Sequence, residues 1–246
     1  MKTFSFIALL VLSFSAAAQT LPDYGYPLTD ILTRGQTKDT LFSGLNRTLV
    51  KTGSSICSNR ALIWTYDMKR NHNINAAKIF LFYTGKNGEI GSKKWWYHVA
   101  PVVNEGGQLW VIDGGFSGFV KRPMLIADWL TKFVDTPNCK MIQSREHDLF
   151  ERMFAGRMYP EYTPEYGQND CYAVITPGMF WTPATVAMGT LQQDADGRPI
   201  RFNRDQYDMS ELLQACKEAA AGRLGSVFGG KNKKCREYLG LPTKED

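Results

Sequence analysis

The chain has 246 residues, of which 43% are hydrophobic and 13% aromatic, and a formal charge of +5 at pH 7. Such a composition specifies a packed core rather than disorder. The lysines and arginines are dispersed instead of forming a stripe, which argues against nucleic acid as a partner.

Residues 1 to 18 have the layout of an export signal: Lys2, an apolar run from Phe4 to Phe14, then Ala16, Ala17 and Ala18. The run is shorter than a membrane span of ~20 residues, and no later stretch is apolar enough to cross a bilayer. Cleavage after Ala18 is expected, with a secreted or periplasmic mature protein. Residues 19 to 36, with Pro22, Gly25, Pro27 and Gly35, read as an extended lead-in. Leu41, Phe42, Leu45, Leu49 and Val50 predict a helix over 37–50. Ser54 and Ser55 offer N-cap oxygens for a second helix reaching about Arg70. In it Cys57, Ala61, Trp64 and Met68 recur at helical steps on one face.

Three strand-like runs follow, at 78–83, 95–103 and 109–113, the last two joined across Asn104-Glu105-Gly106-Gly107 as a hairpin. Helices are predicted over 126–134 and 145–158, an irregular loop over 159–166, and a terminal helix over 208–221 followed by glycine-rich and basic segments. The domain reading is a signal at 1–18, one α+β unit over 19–194, and a helical extension over 195–246 packed on the same domain.

Five cysteines in an exported chain leave one thiol over. Cys57 stands alone, whereas Cys139, Cys171, Cys216 and Cys235 all fall in the second half. A cysteine at a helix start sits where unpaired N–H groups and the helix dipole favour an anion, which lowers a thiol pKa from about 8.5 toward roughly 3.5–7.5. The same N–H groups can receive a developing oxyanion.

Three histidines are candidates for a base. His72 lies at a helix end and His147 between Glu146 and Asp148, both natural surface positions. His98 interrupts the apolar strand Trp95-Trp96-Tyr97-His98-Val99-Ala100, where a buried imidazole needs partners. A turn centred between Glu105 and Gly106 sets His98 directly opposite Asp113. A turn centred on Gly106 and Gly107 sets His98 opposite Gly115, with Asp113 as its diagonal neighbour on the same face. The plainer readings are a core histidine bonded to a carbonyl and an aspartate that opens a turn at Gly114-Gly115.

Cys57-Ser58-Asn59-Arg60-Ala61, Trp96-Tyr97-His98-Val99-Ala100 and Val111-Ile112-Asp113, in that order, resemble the protein-glutaminase family, thiol hydrolases related in core architecture to transglutaminases and papain-like enzymes. The resemblance covers roughly residues 50 to 175. It departs from the family pattern at Gly114-Gly115, where Pro-Ser is usual, and residues 180 to 246 have no counterpart in it. It implies an α+β fold in which a helix bearing Cys57 at its N-terminus packs on an antiparallel sheet bearing His98 and Asp113. It further implies a hydrolase that deamidates glutamine side chains of proteins or peptides, with Cys57 as nucleophile, His98 as acid and base, and Asp113 orienting His98. Trp96, on the His98 face, is a candidate pocket wall.

The other four cysteines can pair in three ways, and chain order favours Cys139 with Cys171 and Cys216 with Cys235. A transglutaminase or a thiol peptidase would use the same triad. An exported binding module with a structural Cys57 is the reading of another class. No cofactor or metal is expected, since there is no H-E-x-x-H, C-x-x-C or clustered histidine set. Gly225 to Lys231 has the spacing of a phosphate-binding loop, but Asn232 stands where Ser or Thr is required.

Overall fold

The computed structural model describes residues 20–21, 26–47, 57–83, 89–90, 93–94, 97–115, 120–133, 139–142, 171–180, 207–221 and 229–243. In chain order the elements are β1 (Thr20–Leu21), β2 (Tyr26–Pro27), a 3-10 turn (Ile31–Arg34), α1 (Lys38–Ser43), α2 (Cys57–His72), β3 (Ala77–Tyr83), β4 (Glu89–Ile90) and β5 (Lys93–Lys94). They continue with β6 (Tyr97–Glu105), β7 (Gln108–Val111), β8 (Met124–Leu125), α3 (Ile126–Leu130), β9 (Cys139–Ile142), β10 (Cys171–Pro177), α4 (Met209–Ala221) and α5 (Gly229–Leu239).

The near-continuous apolar run Ile79-Phe80-Leu81-Phe82 makes β3 a strand covered on both faces. It is central to a six-stranded sheet in the order β8-β7-β6-β3-β10-β9. Five strands run antiparallel to their neighbours, and the edge strand β9 runs parallel to β10. The Cys139–Cys171 disulfide ties these two strands at their first paired residues.

The β6–β7 hairpin pairs Val102 with Val111 and Glu105 with Gln108, so the turn is Gly106-Gly107. Both glycines have positive φ, 59° and 86°, the requirement of a two-residue type I′ turn. Centring the turn one residue earlier would place the side chain of Glu105 at a positive φ, which accounts for the later of the two registers.

α2 lies on the sheet face of Tyr97, Val99 and Val103. Its Leu62, Ile63, Trp64 and Met68 share an apolar cluster with Val103 and Ile112, and Tyr97 Oη donates to Ser58 Oγ at 3.3 Å. Its other flank is covered by α4, whose Leu212, Ala215, Cys216 and Ala219 form a buried stripe at helical spacing. The Cys216–Cys235 disulfide holds α5 to α4, and Tyr66 Oη of α2 donates to the Leu239 carbonyl of α5 at 3.2 Å. The terminal segment predicted as merely basic is thus a second helix. The opposite sheet face, with Val102 and Val111, packs with Val120, Trp129 and Phe133.

α1 is shorter than its apolar spacing predicts, because Gly44 closes it with an N–H to the Thr40 carbonyl at 2.9 Å. β9 and β10 were not anticipated from their sequences. The helix predicted over 145–158, the loop over 159–166 and the signal over 1–18 lie outside the described residues.

One core position breaks the pattern. Lys78 in β3 is fully buried, and among the described residues its Nζ has no hydrogen-bond partner; the Phe80 ring centroid lies 5.9 Å away. Burial pulls its pKa well below the ordinary 10.5, with the charges of Glu211 and Cys57 opposing only in part. The unfolded chain therefore binds more protons than the folded one between the lowered value and 10.5, so this lysine's contribution makes stability rise with pH over that window. Lys78→Met is expected to raise unfolding free energy by about 1–3 kcal/mol near neutral pH, and by less near pH ~10. Urea unfolding at the two pH values measures both; a loss of stability at either would show that the amine is paired.

Candidate active site

Three elements converge at one end of the hairpin. Cys57 is the first residue of α2, half-buried and outside both disulfides. His98 is buried in β6, and Asp113, also buried, lies just beyond β7, where the Ile112 N–H to the Pro101 carbonyl at 2.8 Å carries the pairing on. The register makes Asp113 the diagonal neighbour of His98, and the two side chains meet at 2.8 Å between His98 Nε2 and Asp113 Oδ2. With Nε2 so engaged, Nδ1 is the nitrogen left for the Cys57 thiol, and the two groups act on each other's protonation.

Asp113 is held from three directions. Besides His98, Trp129 Nε1 donates to Oδ2 at 3.0 Å, and the Gly115 N–H donates to Oδ1 at 3.0 Å. Trp129 and Phe133 also pack on the imidazole, with ring centroids 5.6 and 4.8 Å from that of His98 and 4.9 Å from each other, so the three rings form one cluster. Two rings and a carboxylate therefore fix the orientation of the base.

Burial acts against the charges of Asp113, His98 and Cys57 and is overruled at all three. It pushes the Asp113 carboxyl up, but the charge and hydrogen bond of His98 and the donors Trp129 and Gly115 bring it below its ordinary value. It pulls His98 down, but Asp113 first and Cys57 second lift the imidazole to about 9. It pushes the Cys57 thiol up, but the His98 hydrogen bond and charge, the charge of Arg60 and the Val99 N–H bring it below its ordinary value. Lowered thiol and raised imidazole favour a thiolate–imidazolium pair across neutral pH.

Of the residues singled out in the sequence, Cys57, His98 and Asp113 are brought together, and Trp96 lies outside the described residues. Both disulfides join the cysteines that chain order favours. His72 ends α2 half-buried, and His147 lies outside the described residues. Two contributors escaped the sequence reading. Trp129 falls in the helix predicted over 126–134; a buried indole N–H needs an acceptor, yet nothing in the sequence says that the acceptor is Asp113. Arg60 stands within the matching segment, and its burial beside the site was not legible. Among the described residues no group of three or more His, Cys, Asp or Glu could hold a metal ion, and no helix is long and apolar enough to cross a membrane.

Comparison with known proteins agrees with the resemblance. Residues 42–133 match the model of a family described as Glutaminase, a span that contains Cys57, His98, Asp113 and Trp129. A solved structure, the NMR structure of protein-glutaminase from Chryseobacterium proteolyticum, is similar at 15% identity over 77% of this chain and 84% of that one, with a TM-score of 0.41. No curated protein matches the sequence.

Proposed function

We propose that this protein is an exported thiol hydrolase that converts glutamine side chains of proteins or peptides to glutamate, releasing ammonia. The observation that carries the reading is the linked row Cys57–His98–Asp113, with thiol and imidazole shifted toward each other's charged forms. The glutaminase family match over the segment holding these residues supports the choice of a carboxamide as the group attacked.

In this reading the Cys57 thiolate adds to the side-chain carbonyl carbon, and the oxyanion is received by the Cys57 N–H at the start of α2. The imidazolium passes its Nδ1 proton to the departing nitrogen, the C–N bond breaks, ammonia leaves and a thioester remains. Neutral His98 then takes a proton from water as the hydroxyl adds to the thioester. Collapse of that adduct breaks the C–S bond and frees glutamate, the thiolate and an imidazolium ready for the next turn. Asp113 keeps Nε2 protonated throughout, so that Nδ1 is the nitrogen that exchanges protons.

The test is to incubate the purified protein with a glutamine-rich protein and follow ammonia, peptide cleavage and cross-linking together. Ammonia alone is expected. Cleavage without ammonia would assign a peptidase, and ammonia with cross-links a transglutaminase. Ammonia release should also fall as pH rises through about 9, where His98 loses its proton, and on the acid side where the thiolate is protonated, below the ordinary thiol value. A profile that keeps rising past about 10 would mean that an ordinary thiol, without the imidazolium, does the work.

A further inference from the structure

The mechanism above uses Cys57, His98 and Asp113, but a fourth charged group is buried with them. Arg60 lies one helical turn after Cys57, so that its base shares the face of α2 that carries the thiol. It is 4% exposed. The position that a Cβ on Gly115 would occupy is 3.0 Å from Arg60 Nε, 3.1 Å from its Nη2 and 3.2 Å from Asp113 Oδ1. The guanidinium and the carboxylate thus lie on either side of one backbone residue, and only a glycine there leaves them in place.

We propose that Arg60 is a positioning residue of this site, a permanent buried cation that balances Asp113 and holds Cys57 in its ionised form. The inference rests on Cys57 as the nucleophile. A count of charges carries it further. With thiolate, imidazolium, Asp113 and Arg60 the buried group is neutral; without Arg60 it carries one net negative charge, and burial penalises an unbalanced charge.

Once His98 has given its proton to ammonia and the thiolate has become a thioester, Asp113 and Arg60 remain as the charged pair. The groups facing Cys57 from other elements do not replace Arg60. His98 changes charge during the reaction, Tyr97 is held as a neutral phenol chiefly by burial and by the Cys57 charge, and Lys78 is pushed by burial toward its neutral amine. Burial lowers the Arg60 pKa as well, opposed by the charges of Cys57 and Asp113, but a guanidinium titrates so high that it keeps its charge in such surroundings.

Four of the five cysteines are bridged, so alkylation of the native protein by iodoacetamide reads Cys57 alone and needs no substrate. Its rate against pH is measured for wild type, Arg60→Gln and Arg60→Lys, with circular dichroism to establish folding. The midpoint of Arg60→Gln is expected to rise by about one pH unit, with a fall of about tenfold in rate below both midpoints. Arg60→Lys should lie between the two. A profile for folded Arg60→Gln that superimposes on wild type overturns the proposal, and so does a lysine variant shifted as far as the glutamine variant.

If Arg60→Gln does not fold, Arg60→Met takes its place, because it keeps an unbranched stem and removes only the charged head; a raised midpoint supports the role and an unchanged one overturns it. A shifted alkylation profile in a protein that releases no ammonia would sink deamidation and leave Arg60 in place. Ammonia release with no shift would do the reverse.

Discussion

Cys57→Ala is expected to lower ammonia release by at least about 10⁴-fold while changing stability by less than about 1 kcal/mol. No other group at the site is placed to form the bond: His98 is held through Nε2 on Asp113, and Asp113 is enclosed by three donors. Cys57→Ser should be nearly as inactive. In the proposed reaction the thiol is favoured as nucleophile because its pKa is lowered while that of His98 is raised, whereas a serine hydroxyl does not ionise in that range. Because the side chain is half-buried and lies outside both disulfides, the loss should appear in kcat with unfolding curves unchanged. An alanine variant that keeps full activity would move Cys57 to a structural role and favour the exported binding module.

Asp113→Asn should reduce kcat by about 10²–10⁴-fold and bring the His98 pKa down from about 9 toward its ordinary 6.5. Oδ2 accepts from both His98 Nε2 and Trp129 Nε1. An asparagine that turns its amide nitrogen to that side meets two donors; one that turns its oxygen there meets the Gly115 N–H with its nitrogen. Either way at least one buried polar contact is lost, together with the charge that stabilises the imidazolium.

The imidazole titration, followed by NMR, separates the two consequences: a lowered pKa reports the lost charge, and an unchanged pKa would place the source of the shift elsewhere. Asp113→Ala should also destabilise the fold by roughly 3–5 kcal/mol, the usual effect of removing one member of a buried charged pair. Trp129→Phe, which removes one donor and keeps a ring against His98, should lower activity by roughly 10–100-fold.

Much of this site could be read before the fold was seen, because its parts lie on local signals. Cys57 opens a helix whose inward face is periodic, His98 breaks an apolar strand, and Gly106-Gly107 determine the register that brings Asp113 beneath it. Parity did the rest: in either register His98 and Asp113 share a face, so the pairing survived the choice of turn. What was missed depends on long-range packing. β10 holds β3 from the far side through a ladder from Cys171 and Tyr83 to Pro177 and Ala77, and nothing near residue 171 announces a partner so distant in sequence. Trp129 and Arg60 look like an ordinary core aromatic and an ordinary helix charge until the segment after β7 folds back to meet them. Lys78 ran against expectation, since alternation marks its position as core while its chemistry marks it as surface.

The arrangement around α2 has a consequence in time. The helix that carries the thiol is closed on one flank by the sheet and on the other by α4, which follows every described strand and is braced by α5 through Cys216 and Cys235. During synthesis or export, the earlier segments can assemble the sheet, but α2 keeps a bare apolar flank until the last helices arrive. Maturation of the thiol's surroundings therefore waits on delivery and oxidation of the segment that carries α4 and α5.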